Sequence, residues 1–197
     1  MKCSLTMPAS AAHWSGGWYS LARRLDSPNF GERAADAVVD LIVVHSISLP
    51  PGHFGNGCVQ QFFTNQLDWR AHPYFQEIQG LQVSAHFFIT RTGELYQFVS
   101  TQHRAWHAGL SHYRGRHNCN DDSIGIELEG LEGQMFESAQ YQTLIALCTA
   151  LLVQHPIAHI AGHSDVAPGR KFDPGAGFDW AWVQQKLALP KAGFPQR

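Results

Sequence analysis

The sequence predicts a single α/β domain in which α-helices flank a central mixed β-sheet. Three segments carry this prediction. Residues 38–45 are rich in β-branched side chains, Ser123–Glu129 alternate apolar and polar residues, and residues 138–155 repeat apolar side chains at helical spacing. A chain of 197 residues is long enough for one domain with a substantial core and short for two.

Two regions of the chain predict a buried strand and a β-hairpin. Residues 38–45 read V-V-D-L-I-V-V-H, which is typical of a largely buried strand, and a loop with two prolines and a glycine follows. Residues 81–90 and 95–99 are apolar runs joined around R-T-G-E, which predicts a β-hairpin.

The strand Ser123–Glu129 places its apolar residues on one face, because successive side chains of a strand point to opposite sides. Ile124, Ile126 and Leu128 are expected to join the core. The opposite face is small and acidic, which suits the floor of a cleft.

Three helices are predicted. Residues 138–155 carry the clearest apolar stripe, and Pro156 ends it. Residues 59–67 and 178–189 predict shorter helices, and Pro190 follows the second of them. The domain is expected to span residues 1–197, with residues 1–37 irregular, 1–17 as a lead-in and 190–197 as a tail.

Composition argues against two classes of partner. The net charge is −2 with histidine neutral, so no basic field favours nucleic acid or an anionic membrane surface. No run approaches the roughly 18 apolar residues of a membrane span. We therefore expect no nucleic-acid and no membrane partner, and we expect a monomer.

The cysteines and the N-terminal residues favour a cytoplasmic protein. Cys3, Cys58, Cys119 and Cys148 form no C-x-x-C pair, and scattered thiols are ordinary in a reducing cytosol. Residues 1–18 lack the continuous apolar stretch of a signal peptide. Cys148 falls on the apolar face of a predicted helix, where we expect a buried, inert thiol.

Twelve histidines are many for this length, and their spread excludes a tag. His45 ends the first predicted strand on the same face as Leu41 and Val43. Taken alone, a histidine in that position is more often a hydrogen-bonded core residue than a metal ligand.

The segment A-G-H-S-D-V-A-P-G-R-K-F-D-P-G changes this weighting. His163 leaves a short strand, and a proline-glycine loop returns the chain to Lys171 and Asp173. The proline after Asp173 favours extended backbone, in which residues two apart face the same way. An ammonium and a carboxylate then point into one site, with Phe172 anchored on the opposite side.

Two imidazoles and one carboxylate form a zinc-binding set that leaves a fourth position for water, the pattern of catalytic zinc. Zinc lowers the pKa of such a water to about 7, which yields a nucleophile at neutral pH. The site also needs a base, and Glu127 and Glu129 both lie on the acidic strand face, so alternation does not choose between them. Glu129 is more simply explained as a solvated carboxylate. Lys171 is the candidate that stabilises a developing oxyanion.

Six segments together resemble the AmpD family of 1,6-anhydro-N-acetylmuramoyl-L-alanine amidases. In chain order they are V-V-H-S-I-S-L-P-P-G, H-P-Y-F, V-S-A-H-F, R-A-W-H-A-G, C-N-D-D-S-I-G-I-E-L-E-G and G-H-S-D-V-A-P-G-R-K-F-D-P-G. The resemblance runs from about residue 18 to about residue 182, nearly the whole domain. The six segments are specific together, whereas any one alone is weak.

The resemblance implies a fold similar to that of peptidoglycan-recognition proteins and phage amidases. It also implies a cytoplasmic enzyme of peptidoglycan recycling that binds one Zn²⁺ per chain and cleaves the lactyl–L-alanine amide of anhydromuropeptides. His45, His163 and Asp173 match the family's zinc ligands. Glu127 matches its catalytic acid/base, and Lys171 matches the residue that stabilises the transition state. Phage amidases usually have cysteine as the third ligand, so Asp173 favours the recycling branch.

Three positions depart from the family pattern. Ser46 stands where many members have asparagine, and Gln82 and Asn118 stand where some enterobacterial members have arginines that contact sugar or peptide carboxylate. These departures bear on substrate affinity rather than on the chemistry.

Four further residues are candidates for substrate binding. Trp106 and His107 either line the substrate groove or hold their loop together, and Tyr74 is open to the same two interpretations. Arg116 is a candidate partner for the peptide carboxylates. His86 is interpreted as a supporting residue. Four other histidines are expected to be exposed: His13, His53, His112 and His117.

Two other functions remain open at this point. A binding module would recognise muropeptides without cleaving them, as relatives with an incomplete metal site do, whereas this chain has the full set of residues. An amidase acting on intact cell wall would need export, for which residues 1–18 give no signal.

Overall fold

The computed structural model describes residues 13–195, and a six-stranded sheet forms its centre. The strands are β1 (Arg23–Arg24), β2 (Leu41–Ile47), β3 (Phe87–Ile89), β4 (Leu95–Gln97), β5 (Ser123–Glu129) and β6 (His159–Gly162). Their spatial order is β6-β2-β5-β3-β4-β1. The first four of these are mutually parallel, β4 is antiparallel to β3, and β1 is parallel to β4. The predicted mixed sheet is confirmed.

Helices and short ribbons complete the described chain. The helices are α1 (Cys58–Phe63), α2 (Pro73–Glu77), α3 (Ser138–Gln154), α4 (His163–Val166) and α5 (Trp180–Lys186), followed by a 3-10 turn (Lys191–Gly193). Three two-stranded ribbons pair Trp14–Ser15 with Trp18–Tyr19, Phe30–Gly31 with Arg104–Ala105, and His112–Tyr113 with Arg116–His117.

The two faces of the sheet are covered differently. Helices α3 and α5 pack on the face that carries Ile124, Ile126 and Leu128, and these side chains are fully buried, as predicted. The other face is covered by α1 and α2 at one side and by the segment 104–119 at the other. Leu41 and Val43 point to this second face. His45 therefore points to it as well, since residues two apart share a face.

Two helices are shorter than predicted for local reasons. Helix α1 ends at Phe63 because Asn65 adopts a left-handed conformation (φ 58°), which no α-helix continues. Helix α5 begins after Asp179, whose Oδ1 accepts a hydrogen bond from the backbone N–H of Trp182 at 2.9 Å. An aspartate at this position satisfies one of the free N–H groups of the first turn.

The predicted first strand and the hairpin are confirmed with shifted ends. Strand β2 runs to Ile47 because it pairs in parallel with β5 as far as Glu129. In the hairpin, β3 and β4 pair antiparallel around Gly93 (φ 85°). Residues 81–86 do not extend β3. The N–H of Ser84 donates to the carbonyl of Trp106, and the N–H of Gly125 on β5 donates to the side chain of His86 rather than to the backbone of this segment.

The prediction that residues 1–37 are irregular is wrong for the part of them that the structure describes. Arg23–Arg24 forms the edge strand β1, and Tyr19 is buried in the main core. Phe194, in the predicted tail, is also buried there. These side chains contact core residues far away in the sequence, which no local pattern reveals. Residues 1–12 and 196–197 lie outside the described residues.

The prediction that Cys148 is a buried thiol is confirmed. Cys148 is buried, and Cys58, Cys119 and Cys148 are free, whereas Cys3 lies outside the described residues. Between residues 13 and 195, none of the helices has the length and apolar character needed to span a membrane.

We expect His155 to make folding stability depend on pH. Burial, followed by the charge of Arg33, lowers the pKa of His155 to about 4 from 6.5, and its Nε2 lies 3.0 Å from the hydroxyl of Thr101. As pH falls, the unfolded chain takes up this proton first. The contribution to stability is therefore complete above pH 6.5 and is lost progressively between about pH 6.5 and about pH 4.

Urea unfolding at a series of pH values measures this effect. The variant His155→Gln keeps a polar contact but does not titrate. Its free energy of unfolding should fall less steeply than that of the wild type between pH 6.5 and 4. Identical slopes for the two proteins would contradict the assignment to His155.

Candidate active site

The parallel strands bring three of the predicted site residues side by side. His45 and Glu127 are register partners on β2 and β5. On the other side of β2, Gly162 pairs with Val44, so His163 follows directly beside His45. Neighbouring strands lie about 4.8 Å apart. The three side chains therefore meet at the carboxyl end of the sheet, where open α/β sheets commonly bind ligands.

A turn after α4 returns the chain to this point. The N–H groups of Arg170 and Lys171 both donate to the carbonyl of Ala167, and the N–H of Ser164 donates to the carbonyl of Asp173 at 2.9 Å. This last bond fixes Asp173 next to the start of α4. The carboxylate of Asp173 consequently reaches the two histidines across the loop.

Three ligand atoms converge at the centre of the site. The distance between His45 Nδ1 and His163 Nδ1 is 2.9 Å. The Oδ2 atom of Asp173 lies 3.3 Å from the first nitrogen and 3.2 Å from the second. The same oxygen accepts a hydrogen bond of 3.4 Å from the N–H of Ser46. Among residues 13–195, this is the group of histidine, cysteine and carboxylate side chains with an arrangement that can hold a metal ion.

Burial keeps the imidazole of His45 neutral. The ring is 1% exposed, and burial, with a smaller effect of His163, lowers the pKa of His45 to about 4. A neutral imidazole has one N–H and one lone pair. It is the lone pair that a metal ion binds, so the neutral ring is the form that can act as a ligand.

Glu127 lies beside the two histidines with one oxygen free to act. Its Oε1 is 4.0 Å from His45 Nδ1, and its buried Oε2 has no hydrogen-bond partner among the described residues. Burial, and then the negative charge of Asp173, raises the pKa of Glu127 well above its usual value. A carboxyl group whose pKa is raised toward neutrality is suited to both accept and donate a proton.

Glu129 is not a solvated carboxylate, contrary to the expectation from the sequence. It is 4% exposed, and its two oxygens accept hydrogen bonds from the N–H groups of Gly55 and Arg91, at 2.6 and 3.0 Å. The carboxylate thus ties the loop before α1 to the β3–β4 turn. The alternating pattern gave the face on which Glu129 lies but could not show that two distant loops cover it.

Lys171 lines the cavity together with Asp173, as their spacing predicts. Its positive charge contributes to the lowered pKa of His45 and, for Glu127, partly opposes the larger effect of burial. Phe172 is not anchored on the opposite side. Its side chain is 60% exposed and forms part of the cavity rim, because the loop that carries it lies at the surface.

The site occupies the polar end of an open cavity of about 450 Å³. Its other walls are mostly apolar, and the residues that form them come from α1, α2 and the segments around residues 49, 81 and 106: Leu49, Phe62, Phe63, Tyr74, Ile78, Leu81, Val83 and Trp106. A ligand in this cavity would have one polar reacting end and an extended surface against aliphatic and aromatic side chains.

The structure brings three of the four substrate-binding candidates to the cavity. Tyr74, Trp106 and His107 line it. His107 is 9% exposed, and its Nδ1 lies 2.9 Å from His45 Nε2, so it supports His45 from behind.

Arg116 is not brought to the cavity. Its guanidinium pairs with Asp40 at 2.8 and 3.1 Å and with Asp122 at 2.9 Å. These two carboxylates directly precede β2 and β5, so they lie at the amino ends of the strands. At about 3.3 Å per residue, Asp40 is roughly 16 Å from His45 along β2.

The remaining sequence candidates are placed as follows. Ser46 lines the cavity, whereas Asn118 is an exposed turn residue (φ 57°). His86 is fully buried, and its Nδ1 accepts a hydrogen bond from the N–H of Gly125 at 3.0 Å, as expected of a supporting residue. His53, His112 and His117 are exposed as expected, and His13 is partly buried.

A protein-family model described as N-acetylmuramoyl-L-alanine amidase matches residues 35–176. The chain belongs to this amidase family. The matched region contains all the cavity-lining residues discussed above. It also contains five strands of the central sheet, β2 to β6.

Curated and solved proteins agree with membership of the amidase family. The 1,6-anhydro-N-acetylmuramyl-L-alanine amidase AmpD of Escherichia coli (strain K12) is 51% identical over 167 residues, 84% of this chain and 91% of that protein. A crystal structure of a selenomethionine derivative of AmpD matches with a TM-score of 0.85 and 49% identity, covering 88% of this chain and 98% of that chain. These likenesses confirm the predicted amidase-like fold.

A more distant amidase was solved with a ligand. AmiD from E. coli, in complex with the substrate anhydro-N-acetylmuramic acid-L-Ala-D-gamma-Glu-L-Lys, matches with a TM-score of 0.57 and 29% identity. The match covers 79% of this chain and 60% of that chain.

Sequence reasoning assigned no role to several residues that support the amidase site. Asn120 accepts hydrogen bonds from the N–H groups of His107 and Ala108 at 3.1 and 2.8 Å. Arg170 donates to the carbonyl of Ala108 at 2.6 Å. Asn120 falls within one of the family-like segments, but its partners are 12 and 13 positions away, so periodicity gives no signal for the contact.

Proposed function

We propose that this amidase is zinc-dependent and hydrolyses the amide between the lactyl group of muramic acid and L-alanine in 1,6-anhydromuropeptides, as part of peptidoglycan recycling. The observation that carries the proposal is the convergence of three ligand atoms beside Glu127 at the polar end of the cavity.

The ligand atoms fit a tetrahedral zinc ion. Ligands at 2.0–2.1 Å from zinc, at tetrahedral angles, are about 3.3 Å from one another. The three separations here are 2.9, 3.2 and 3.3 Å. Two imidazoles and one carboxylate are also the donor set of several catalytic zinc sites, which leave the fourth position open.

A zinc ion held by this set would supply Lewis acidity and lower the pKa of a bound water. Glu127 takes the proton from the attacking water and then delivers one to the departing L-alanine nitrogen. Its free Oε2 and its burial, which raises the pKa of the carboxyl group, suit both steps. The ammonium of Lys171 stabilises the negative charge that develops on the lactyl carbonyl oxygen.

The shape of the cavity supports a muropeptide as substrate. An apolar surface that includes Tyr74 and Trp106 leads away from the polar end, and aromatic rings pack well on the apolar faces of sugars and on peptide stems. The anhydro form of the substrate follows from the relatives. AmpD is named for it, and AmiD was solved with it. The ligand atoms and Glu127 meet within one chain, so we propose a monomer as the active unit. The free thiols of Cys58, Cys119 and Cys148 support the cytoplasm as its location.

Purified protein loaded with one equivalent of zinc tests the proposal. It should release the peptide from an anhydromuropeptide, as measured by mass spectrometry, and should act much more slowly on intact sacculi. A chelator should abolish release, and added zinc should restore it. A protein that binds the fragment but releases no peptide at any zinc concentration would be a binding module. Faster release from sacculi would identify a cell-wall amidase instead.

A further inference from the structure

The segment His107-Ala108 contacts both histidines of the proposed metal site from behind. The imidazole of His107 lies 2.9 Å from His45 Nε2, and the carbonyl of Ala108 lies 3.2 Å from His163 Nε2. In each ring this contact is on the nitrogen that does not face Asp173.

The backbone carbonyls of Cys119 and Ala108 fix the hydrogen-bond directions around the two histidines, because a carbonyl group only accepts. The hydroxyl of Ser123 therefore donates to the carbonyl of Cys119. The oxygen of Ser123 then accepts the N–H of His107 Nε2, at 3.2 Å. A neutral imidazole carries one N–H, so His107 Nδ1 is an acceptor and receives the N–H of His45 Nε2.

These directions leave a lone pair on the Nδ1 atom of His45. His163 also has its lone pair on Nδ1, because its Nε2 must donate to the carbonyl of Ala108. Both Nδ1 lone pairs and one carboxylate oxygen thus face a common point. The ring of His107 is itself buried, and its two nitrogens face His45 and Ser123.

The backbone beneath His107 is shaped to hold the ring in this orientation. A Cβ atom at Gly125 would lie only 2.6 and 2.7 Å from Cδ2 and Nδ1 of His107, so no side chain fits there. The N–H groups of His107 and Ala108 are both held by the side-chain oxygen of Asn120. The ring of His107 thus packs directly on Gly125, and Asn120 holds the backbone that carries the ring.

We propose that His107 is a positioning residue that, through Ser123, holds His45 in the tautomer with its proton on Nε2 and so presents Nδ1 to the metal. The relay consists of Cys119, Ser123, His107 and His45. This inference rests on the proposed function, because it takes the metal site as given. Groups that orient a metal-bound histidine in this way typically change metal affinity by about 10- to 100-fold.

Two substitutions at His107 separate hydrogen bonding from packing. His107→Leu removes the acceptor, and zinc affinity measured by chelator competition should fall by about 10- to 100-fold. His107→Asn places an amide oxygen near the position of Nδ1 and should recover most of this loss. Ser123→Ala, which leaves the His107 ring in place, should give an intermediate affinity. His155→Leu removes another partly buried imidazole, one that contacts Trp14 and Thr101 rather than the ligands, and should lower stability without changing zinc affinity.

Nitrogen-15 spectra of the histidine rings in the metal-free protein provide a readout that a purely structural role would not change. Wild-type His45 and His107 should both show the form with the proton on Nε2. Ser123→Ala should shift both rings toward the other tautomer.

Three results would overturn the relay: wild-type affinity in His107→Leu, equal losses in His107→Leu and His107→Asn, or an Nδ1 proton on His45. A wild-type protein without stoichiometric zinc binding would instead refute the proposed function, while the spectra would still test the relay.

Discussion

Glu127→Gln should fold and bind zinc like the wild type, while peptide release from anhydromuropeptides falls by about 10²- to 10⁴-fold. The substitution keeps the size of the side chain but removes its ability to exchange a proton. Glu127 Oε1 is 4.0 Å from the nearest histidine nitrogen, which is too far for a hydrogen bond, so its loss leaves the three ligand atoms in place. The turnover number should fall, whereas the zinc stoichiometry should stay the same as in the wild type.

Glu129→Gln is the matched control, since it changes the same functional group two residues along the same strand face. Glu129 accepts hydrogen bonds from two loop N–H groups and does not line the cavity. We expect a measurable loss of unfolding free energy and at most a small change in turnover. If Glu127→Gln were as active as the wild type, or if Glu129→Gln were the inactive variant, the assignment of the acid/base would be wrong.

Asp173→Ala should lower zinc affinity by more than about 100-fold and abolish activity. This exceeds the loss typical of groups that only support a ligand, because Asp173 is itself one of three ligands. Without zinc, the substitution removes both a long hydrogen bond from the N–H of Ser46 and a carboxylate that lies close to two nitrogen lone pairs, so the stability of the metal-free protein should change little. Thermal unfolding shows the difference directly. Zinc at 100 times its wild-type dissociation constant stabilises the wild type by about 2.7 kcal/mol and should stabilise the variant by less than about 0.4 kcal/mol.

Asp179→Ala serves as the control for Asp173→Ala. Asp179 caps the first turn of α5, and removal of such a cap costs about 1 kcal/mol of stability. This variant should unfold at a lower temperature but should respond to zinc like the wild type. A zinc-dependent increase in the stability of Asp173→Ala equal to that of the wild type would remove Asp173 from the ligand set.

The sequence by itself determined the fold class, the strand β5 to the residue and the long helix α3. These elements were readable because their signals are local: a strand alternates with a period of 2 residues and a helix with a period of 3.6. The pair Lys171 and Asp173 was readable for the same reason, since two residues of extended chain share a face. The choice of Glu127 over Glu129 required the family resemblance, because both glutamates satisfy the same alternation.

Only the tertiary structure decided which partner each side chain has. Glu129 is held by Gly55 and Arg91, 74 and 38 positions away, and His107 meets His45 across 62 positions. Arg116 likewise forms an ion pair with Asp40, 76 positions away. Such contacts depend on parallel strand register and on loops that cross the sheet, and neither leaves a periodic trace in the sequence. Residue types and spacing thus predicted the candidate residues of the site, the family resemblance chose between Glu127 and Glu129, and the folded chain fixed the partners of each side chain.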